Sequence, residues 1–368
     1  MTTKLVVQST PARAQAGIPT RKISFVRLEN TAFGGAEVYL QRVCEVLSRQ
    51  QIEYEVVYGK IPKFFASWIK ALWFSYQVKR NKGHKFYFAL ARITSPDIYR
   101  AGDGVHRAYM EAMGLRFWQN PIHFVSCYLE KQAFLNSKKI IANSAMTKRN
   151  ILQYYAVPED KIVVIHNGVN QPEPVDAHLA KARLAAELKF SADKKIILFV
   201  GSGFKRKGAD VFLKMLAEVQ GDFMAILVGK EKKIAAYRRL AENLGLTDKV
   251  RFVGQRRDIS QFYAASDIFL YPARYEPFGL VVLEAMQSGN AVFASKTCGS
   301  SEVLLADYVM DGLADKRALR KIEVLLNDAV ALAKIKQRNQ DISKAYSIEQ
   351  NVDKTLTVIR DVLQNHLF

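Results

Sequence analysis

Two glutamates separated by seven residues are the most informative chemical feature of the sequence. Glu276 follows an expected strand, and Glu284 lies about one turn inside the helix expected after the turn that Pro277 and Gly279 bracket. This spacing allows both carboxylates to face one ligand. Because a carboxylate is a charged acceptor of two hydrogen bonds, the pair favours a site for sugar hydroxyls. The alternative is a glutamate at a helix start and an unrelated, solvated one.

A basic loop is the second such feature. Residues 201–208 read Gly-Ser-Gly-Phe-Lys-Arg-Lys-Gly between an expected strand and an expected helix. Free amide groups and the helix dipole favour anions at such a position, although the glycine spacing fits neither a dinucleotide fingerprint nor a complete P-loop. Lys205, Arg206 and Lys207 oppose the dipole, and a bound phosphate would relieve that conflict. A solvated basic turn is the alternative.

The charge is concentrated in the first half of the chain. The net charge is +19, and residues 1–170 carry 24 basic and 11 acidic side chains. Between Glu55 and Asp97 there are eight basic residues, no acidic residue, and many interleaved aromatic residues. This composition suits an anionic membrane surface or a phosphorylated lipid, and it also suits nucleic acid. A core helix with solvated lysines is a third interpretation.

Apolar segments and cysteines indicate the cellular compartment that we expect for the protein. No segment reaches the roughly 18 apolar residues of a transmembrane helix. Residues 1–21 lack the apolar core of a signal peptide, and we interpret them as a tail. The three cysteines form no Cys-x-x-Cys pair, which favours a reducing compartment and no zinc site.

The elements that position these residues alternate between strand and helix patterns. That alternation predicts βαβ units with parallel sheets. Expected strands of the first half are 22–28, 54–58, 86–91, 97–101, 139–142 and 161–165, with helices at 36–49 and 62–80. Expected strands of the second half are 196–200, 224–228, 250–253, 268–271 and 291–294, with helices at 209–219, 234–244 and 280–287.

The fold class predicted is α/β, with two doubly wound Rossmann-like domains facing across a cleft. The length of 368 residues favours two domains, and ligands bind at the carboxyl ends of such strands. We expect a tail at 1–21, an acceptor-binding domain at 22–169, a proline-rich linker at 170–176, a nucleotide-sugar domain at 177–346, and a C-terminal helix at 347–368 returning to the first domain.

Five segments together resemble a known family. Glu276 to Glu284, read as Glu-Pro-Phe-Gly-Leu-x-x-x-Glu, resembles the E-x7-E motif of glycosyltransferase family 4, which are retaining enzymes with the two-domain GT-B fold. Four other segments agree in order, namely 33–37, 166–169, 206–208 and 267–272. The resemblance covers about residues 22–345. Residues 201–208 and 99–103 are most similar to bacterial lipopolysaccharide core glucosyltransferases.

The resemblance implies donor-side roles for several residues. Lys207 and Arg206, aided by Lys205, would neutralise the donor diphosphate. Glu284 would hold the ribose hydroxyls, and Glu276 would bind the transferred sugar. Backbone amides near three residues would contact sugar or phosphate: Phe278, Gly279 and Leu280.

It also implies roles for residues of the first domain. Gly34 and Gly35 would let the backbone approach the diphosphate. Asp103 would lie near the anomeric carbon and the acceptor hydroxyl, as a base or as a stabiliser of the oxocarbenium ion. His106 is a second candidate on the acceptor side, with an ordinary structural histidine as the alternative.

Two positions depart from the family pattern. Ser202 stands where many members have an arginine, so Lys205 or Arg206 would compensate. Cys298 replaces the first glycine of the usual Gly-Gly-x-x-Glu loop, whereas Gly299 and Glu302 are retained.

The function predicted is metal-independent, retaining transfer of a hexose, with UDP-glucose as the expected donor and a lipopolysaccharide core or related membrane glycan as the acceptor. No Asp-x-Asp pair occurs, and basic residues can stabilise the leaving diphosphate. We expect no cofactor beyond the nucleotide sugar, no nucleic-acid partner, and a monomer peripheral to the cytoplasmic face of the membrane, which residues 58–92 and 105–134 would contact.

Two other classes of function stay open at this point. One is a non-catalytic protein that binds a sugar nucleotide or glycolipid on a degenerate GT-B fold, against which the intact Glu276, Glu284 and Lys207 argue. The other is a nucleic-acid binder, although nothing resembles an RNA-binding motif.

Overall fold

The computed structural model describes residues 5–9, 22–28, 35–59, 61–62, 64–312 and 315–364. The chain divides into two compact units. One runs to Gly168 and resumes at Ile348, and the other is Val169–Ser347. Each is an α/β unit built on a largely parallel sheet.

The first unit contains a seven-stranded sheet in the order β1-β3-β2-β4-β5-β6-β7. Its strands are β1 (Leu5–Ser9), β2 (Ile23–Arg27), β3 (Tyr54–Gly59), β4 (Phe86–Ala89), β5 (Ile98–Ala101), β6 (Lys139–Ala142) and β7 (Ile162–Val164). All neighbours are parallel except β1, which pairs antiparallel with β3. The interpretation of residues 1–21 as a tail is therefore wrong for residues 5–9, whose backbone hydrogen-bonds along an edge of the sheet.

Within the described residues, five α-helices connect these strands: α1 (Gly35–Arg49), α2 (Ser67–Arg80), α3 (His106–Met113), α4 (Ile122–Asn136) and α5 (Ala145–Tyr154). The helix predicted from residue 62 begins at Ser67, five residues later. Its helical hydrophobic spacing starts at Trp68, so the residues before it lacked that signal.

The second unit contains a six-stranded parallel sheet in the order β10-β9-β8-β11-β12-β13. The strands are β8 (Lys195–Val200), β9 (Phe223–Val228), β10 (Val250–Gly254), β11 (Ile268–Tyr271), β12 (Ala291–Ser295) and β13 (Val309–Met310). Every residue of β9, β11 and β12 is buried. Parallel sheets with helices on both faces have such continuous apolar strands.

The described residues of the second unit form eight α-helices, and α11 has the bounds that were predicted. They are α6 (Ala177–Leu188), α7 (Phe204–Lys207), α8 (Ala209–Glu218), α9 (Ile234–Asn243), α10 (Ile259–Ala265), α11 (Leu280–Gln287), α12 (Lys316–Asn327) and α13 (Ala329–Ser343). The short helix α7 is separated from α8 by Gly208, and α7 contains the basic residues Lys205, Arg206 and Lys207.

The last helix, α14 (Ile348–Gln364), belongs to the first unit. Its apolar face joins the core of that unit through Ile348, Val352 and Ile359. Asn351 accepts a hydrogen bond from the Tyr39 hydroxyl at 3.0 Å and donates one to the carbonyl of His166 at 2.6 Å. Among the residues that the structure describes, no helix is long and apolar enough to cross a membrane.

Candidate active site

Glu276 lies at the centre of a polar cluster at the carboxyl edge of the second sheet. Its Oε2 atom accepts hydrogen bonds from Arg206 Nη1 at 2.9 Å and from the Tyr271 hydroxyl at 3.1 Å, and it also contacts Lys207 Nζ. Arg206 and Lys207 lie in α7, which follows β8, and Tyr271 is the last residue of β11. Because β8 and β11 are parallel neighbours, these segments meet at the same edge of the sheet. One carboxylate therefore faces two cations.

The cluster strongly favours the ionised form of Glu276. The side chain is buried, which by itself raises the pKa of the carboxyl group, but attraction by Lys207 and Arg206 outweighs burial and lowers the pKa to about 2. The same carboxylate has the opposite effect on Tyr271. Burial first, and then the charge of Glu276, raise the pKa of the Tyr271 hydroxyl well above its usual value.

Helix α7 orders the three basic residues differently from the prediction. They were expected in a loop that leads directly to the helix at 209, but they form the last three residues of the four-residue helix α7. As a result their side chains diverge. Lys207 and Arg206 reach Glu276, whereas the Lys205 side chain is exposed and its carbonyl accepts a hydrogen bond from Arg274 Nη1 at 2.8 Å.

Gly208 allows this basic segment to lie against the end of β11. Its φ is +77°, and a Cβ atom there would collide with the carbonyl oxygen of Pro272. A left-handed φ disfavours side chains in any case. Any larger residue would therefore push α7 away from the strand that carries Tyr271.

Arg274 and Asp210 stabilise the same arrangement. The guanidinium of Arg274 makes two hydrogen bonds of 2.6 Å to the Asp210 carboxylate, a bidentate geometry that is both strong and directional. The backbone amide of Arg274 also donates to the carbonyl of Arg206 at 2.9 Å. Sequence reasoning missed this pair, because the two residues are 64 positions apart and neither has a local signal for its partner.

The turn before α11 is closely packed. Gly279 has a φ of +90°, and an added Cβ would lie 3.0 Å from Cys298 Sγ and 3.1 Å from Glu276 Cγ. Phe278 is buried, and its carbonyl accepts a hydrogen bond from the amide of Ser300 at 2.8 Å. Leu280 is the first residue of α11, so its amide is among those that a helix start leaves without intrahelical partners.

Cys298 packs into this turn, which gives the departure from the family pattern a structural role. The thiol lies 3.1 Å from the carbonyl of Phe278 and 3.2 Å from Ser300 Oγ. Burial, followed by the charge of Glu276, raises the pKa of the thiol to about 12. Cys298 is therefore a neutral packing group, since reactivity requires the thiolate.

Glu284 lies on α11 one turn after its start, as predicted. Its Oε2 atom accepts a hydrogen bond from the Tyr263 hydroxyl at 3.2 Å. The side chain is half-buried. Glu284 thus has an environment unlike that of Glu276, which is held by two cations.

In the first unit, Asp103 follows β5 and its side chain is 40% exposed. Arg27 Nη1 lies 3.3 Å from its Oδ2 atom, and the same guanidinium also binds Glu37 at 3.0 Å. Desolvation acts to raise the pKa of Asp103, but attraction by Arg27 and then Arg92 lowers the pKa below its usual value. Asp103 is therefore ionised at neutral pH.

His106 is three residues further along and forms a pair with His123. The ring nitrogens His106 Nε2 and His123 Nδ1 are 3.0 Å apart. Burial, followed by repulsion from Arg92 and His123, lowers the pKa of His106 to about 3. The imidazole of His106 is therefore neutral at physiological pH.

A fully buried carboxylate, that of Glu130, supports this segment. It accepts hydrogen bonds from the backbone amide of His106 at 2.9 Å, from Arg92 Nε at 2.8 Å and from the Tyr155 hydroxyl at 2.9 Å. Sequence reasoning missed Glu130. The available signal was its position directly after the mainly apolar residues 124–129, because a carboxylate among apolar side chains is buried only with partners.

Of the two glycines predicted to approach the diphosphate, one lies in the part of the chain that the structure describes. Gly35 is the first residue of α1. Gly34 lies outside the described residues.

Two α/β units, one with carboxylates and cations at the carboxyl edge of its sheet, define a protein of the GT-B fold class. Models of two protein families match the chain. The model of glycosyl transferases group 1 matches residues 181–347, and that of glycosyltransferase family 4 matches residues 84–171. Each half of the chain thus matches a glycosyltransferase family model, and the chain has the GT-B fold, as predicted.

Curated relatives agree with this assignment. The chain is 25% identical over 211 residues to the lipopolysaccharide glucosyltransferase WaaG of Escherichia coli, which covers 54% of this chain and 55% of the relative. It is 31% identical over 200 residues to the D-inositol 3-phosphate glycosyltransferase of Segniliparus rotundus, covering 51% and 43%. The chain spans about half the length of the curated relatives it matches.

Solved structures show the same fold. The crystal structure of WaaG matches with a TM-score of 0.77 and 18% identity, covering 92% of this chain and 99% of that one. The structure of Anabaena Alr3699/HepE in complex with UDP and glucose matches with a TM-score of 0.71 and 20% identity, covering 93% and 100%.

Proposed function

We propose that this chain is a retaining hexosyltransferase that transfers glucose from UDP-glucose to a lipopolysaccharide core or a related membrane glycan. The observation that carries the proposal is the contact of Arg206 and Lys207 with Glu276 at the carboxyl edge of the second sheet. The two cations suit the negatively charged diphosphate of a nucleotide sugar, and the carboxylate suits the hydroxyl groups of its sugar. The similarity to WaaG, described as a lipopolysaccharide glucosyltransferase, supports the choice of donor and acceptor.

The cations would act on the leaving group. When the bond between the anomeric carbon and the diphosphate breaks, negative charge develops on the departing UDP. Arg206 and Lys207 supply two fixed positive charges, and removing one such donor typically costs about 10²–10³ in rate. Their two charges support transfer without a divalent metal or other cofactor.

Glu276 would exchange partners in this reaction. In the structure it holds both cations, so an incoming diphosphate competes with the carboxylate for them. Once displaced, Glu276 can accept hydrogen bonds from the sugar hydroxyls. Phe278, Gly279 and Leu280 would present backbone to the same ligand, with Lys205 near the phosphates, while Glu284 would hold the ribose hydroxyls and Gly34 and Gly35 would admit the diphosphate.

Asp103 is the proposed group on the acceptor side. Because its pKa is lowered, the carboxylate is ionised and can stabilise positive charge at the anomeric carbon. In its alternative role as a base, it would accept the hydrogen bond of the acceptor hydroxyl as that hydroxyl attacks. We propose front-side attack, in which the new bond forms on the face that UDP leaves and the anomeric configuration is retained. His106, kept neutral, would accept a hydrogen bond from the acceptor.

Exposed aromatic residues support a peripheral membrane location on the cytoplasmic face. Within 58–92 and 105–134, Phe64 and Trp118 are both 78% exposed, and Arg116 lies over the Trp118 ring at 5.8 Å. Aromatic and basic side chains together suit an anionic lipid surface. We propose a monomer there, without a nucleic-acid partner. Co-sedimentation that is equal with anionic and neutral vesicles would contradict the membrane location.

The test is release of nucleotide from UDP-, GDP- and ADP-sugars, with and without core-truncated lipopolysaccharide, in the presence of EDTA. We expect UDP release from UDP-glucose only when the acceptor is present, and an α-linked product by NMR. Release that requires a divalent metal would contradict metal independence. Tight binding of UDP-glucose without release on any acceptor of the panel would instead support a non-catalytic binding protein.

A further inference from the structure

A cavity of about 400 Å³ lies at the amino edge of the second sheet, opposite the edge that carries Glu276. Its wall includes Lys195 at the start of β8, Asp267 immediately before β11, and Lys336 of α13. In a parallel sheet, residues at strand starts and residues after strand ends lie at opposite edges. The cavity is therefore separate from the donor site proposed above.

Positive charge exceeds negative charge around Asp267, and two of its three lysine partners, Lys195 and Lys336, line the cavity. Asp267 is the shared partner of three ammonium groups, those of Lys336 at 3.6 Å, Lys181 at 3.6 Å and Lys195 at 3.9 Å. The Oδ2 atom of Asp267 also accepts a hydrogen bond from the backbone amide of Ile196 at 3.0 Å. One carboxylate neutralises one of three cations, so two positive charges are left over.

The distances show that these cations are only loosely held. Charge-assisted hydrogen bonds between an ammonium group and a carboxylate are typically about 2.7–2.9 Å long, and all three contacts with Asp267 are longer. Burial, and repulsion by Lys195 and Lys181 against the attraction of Asp267, lower the pKa of Lys336. Lys336 Nζ also lies 3.5 Å from the carbonyl oxygen of Ser266, which is a long contact. Because each ammonium group carries three donors, the three lysines have donors left for an additional anion.

Two further carboxylates are near the cavity, and both have other partners. Asp176 and Asp328 precede the lining residues Ala177 and Ala329, at the starts of α6 and α13. Each accepts hydrogen bonds from two backbone amides of its own helix, at 2.9 Å to 3.0 Å. They balance the positive ends of those helices and do not contact the lysines.

We propose that this cavity is a second anion site, which binds a small dianion of the phosphate-monoester class. Two uncompensated positive charges match a phosphate dianion. The volume falls within the roughly 300–1,000 Å³ of small-molecule sites, so it has room for an organic group attached to the phosphate. Gln337, which follows Lys336 in the sequence, also lines the cavity and offers a polar side chain.

The proposal can be tested by calorimetric titration of the 368-residue chain with inorganic phosphate. Lys336→Gln removes one ammonium group from the cavity. Lys334→Gln is the matched control, because Lys334 is an exposed lysine of the same helix and does not line the cavity. Lys207→Gln reports phosphate that binds at the basic residues of α7 instead.

We expect saturable binding that Lys336→Gln weakens by about tenfold or more, the loss of one charged hydrogen bond, and that Lys334→Gln leaves unchanged. Lys207→Gln should remove only a separate binding event at α7. Lys195→Gln should weaken binding equally, which guards against a folding defect in one variant. Glucose 1-phosphate and adenosine monophosphate then separate the sources, since tighter binding of either ester than of inorganic phosphate identifies an organic ligand.

Three outcomes would overturn the proposal. They are equal effects of Lys334→Gln and Lys336→Gln, loss of binding in Lys207→Gln alone, and no saturable binding. None of them bears on glycosyl transfer, which the nucleotide-release assay tests separately.

Discussion

The ammonium group of Lys207 contacts the carboxylate of Glu276 although the two residues are 69 positions apart in the chain. Lys207 ends α7, Glu276 follows β11, and the parallel pairing of β8 with β11 brings their loops together. The contact joins a group suited to phosphate with a group suited to sugar hydroxyls. Donor binding, turnover and acid stability should all depend on this contact.

Replacement of Glu276 by glutamine should separate binding from catalysis. The change removes the carboxylate that competes for Arg206 and Lys207, so we expect the Kd for UDP to stay the same or decrease. Glucose transfer should fall by about 10²-fold, the typical cost of losing one charged interaction in the transition state. Calorimetry and kcat measure the two effects. Glu218→Gln, an exposed glutamate at the end of α8, is the control, and a parallel loss of UDP binding in Glu276→Gln would contradict competition.

The acid sensitivity of the fold should reflect the same contact. The folded-state pKa of Glu276 is about 2 against an ordinary 4.5, so its stabilisation is present above pH 4.5 and is lost as the pH falls towards 2. Linkage gives about 3 kcal/mol for this difference. Urea unfolding at several pH values should therefore show a steeper acid loss in the wild type than in Glu276→Gln. Equal slopes would show that the ion pair contributes nothing.

The two lysines of α7 should differ in their effect on the donor. Lys207 reaches Glu276, whereas the Lys205 side chain is exposed. We expect Lys207→Gln to lower kcat/KM for UDP-glucose by about 10²-fold and Lys205→Gln to lower it less, because solvent screens an exposed charge. Initial rates of UDP release compare the matched variants. A larger effect of Lys205→Gln would mean that α7 presents the other lysine to the diphosphate.

Gly208 and Gly203 offer a matched pair for the packing of α7. Both have left-handed φ values, +77° and +75°, but only Gly208 has a neighbour within 4 Å of an added Cβ. Gly203→Ala should cost about 1 kcal/mol for its backbone conformation. Gly208→Ala should cost about 1–3 kcal/mol more, because the methyl group collides with Pro272 and the backbone must shift. Chemical denaturation measures both, and equal costs would rule out the close approach.

The His106 imidazole should stay neutral well below the usual pH. Its folded-state pKa is about 3, so the fold loses stability as the pH falls from about 6.5, the ordinary pKa of histidine, towards 3. In NMR spectra, the imidazole signals that His106→Gln removes should not titrate between pH 7 and pH 5. Titration of these signals with a midpoint near pH 6 would mean that burial and repulsion from Arg92 and His123 do not lower the pKa of His106.

Much of the fold and part of the candidate site could be predicted from the sequence. The bounds of α11 and the positions of all eleven predicted strands are confirmed, because hydrophobic periodicity and turn residues are local signals. The short edge strands β1 and β13 were not predicted. Glu276 and Lys207 were identified because their types and their neighbours in the chain suggest binding chemistry. Arg274, Asp210 and Glu130 were missed, since a charged residue with a distant partner looks in sequence like a solvated one.

Only the tertiary structure decided which of these groups meet. The sequence by itself determined two α/β halves, the E-x7-E pair and a basic segment before α8, all of which depend on residues close together in the chain. It could not determine that Lys207 rather than Lys205 faces Glu276, or that Lys181, Lys195 and Lys336 share Asp267. The physical reason is that such contacts depend on which strands are neighbours in the sheet and on how helices pack over them, and the order β10-β9-β8-β11-β12-β13 brings together segments far apart in sequence.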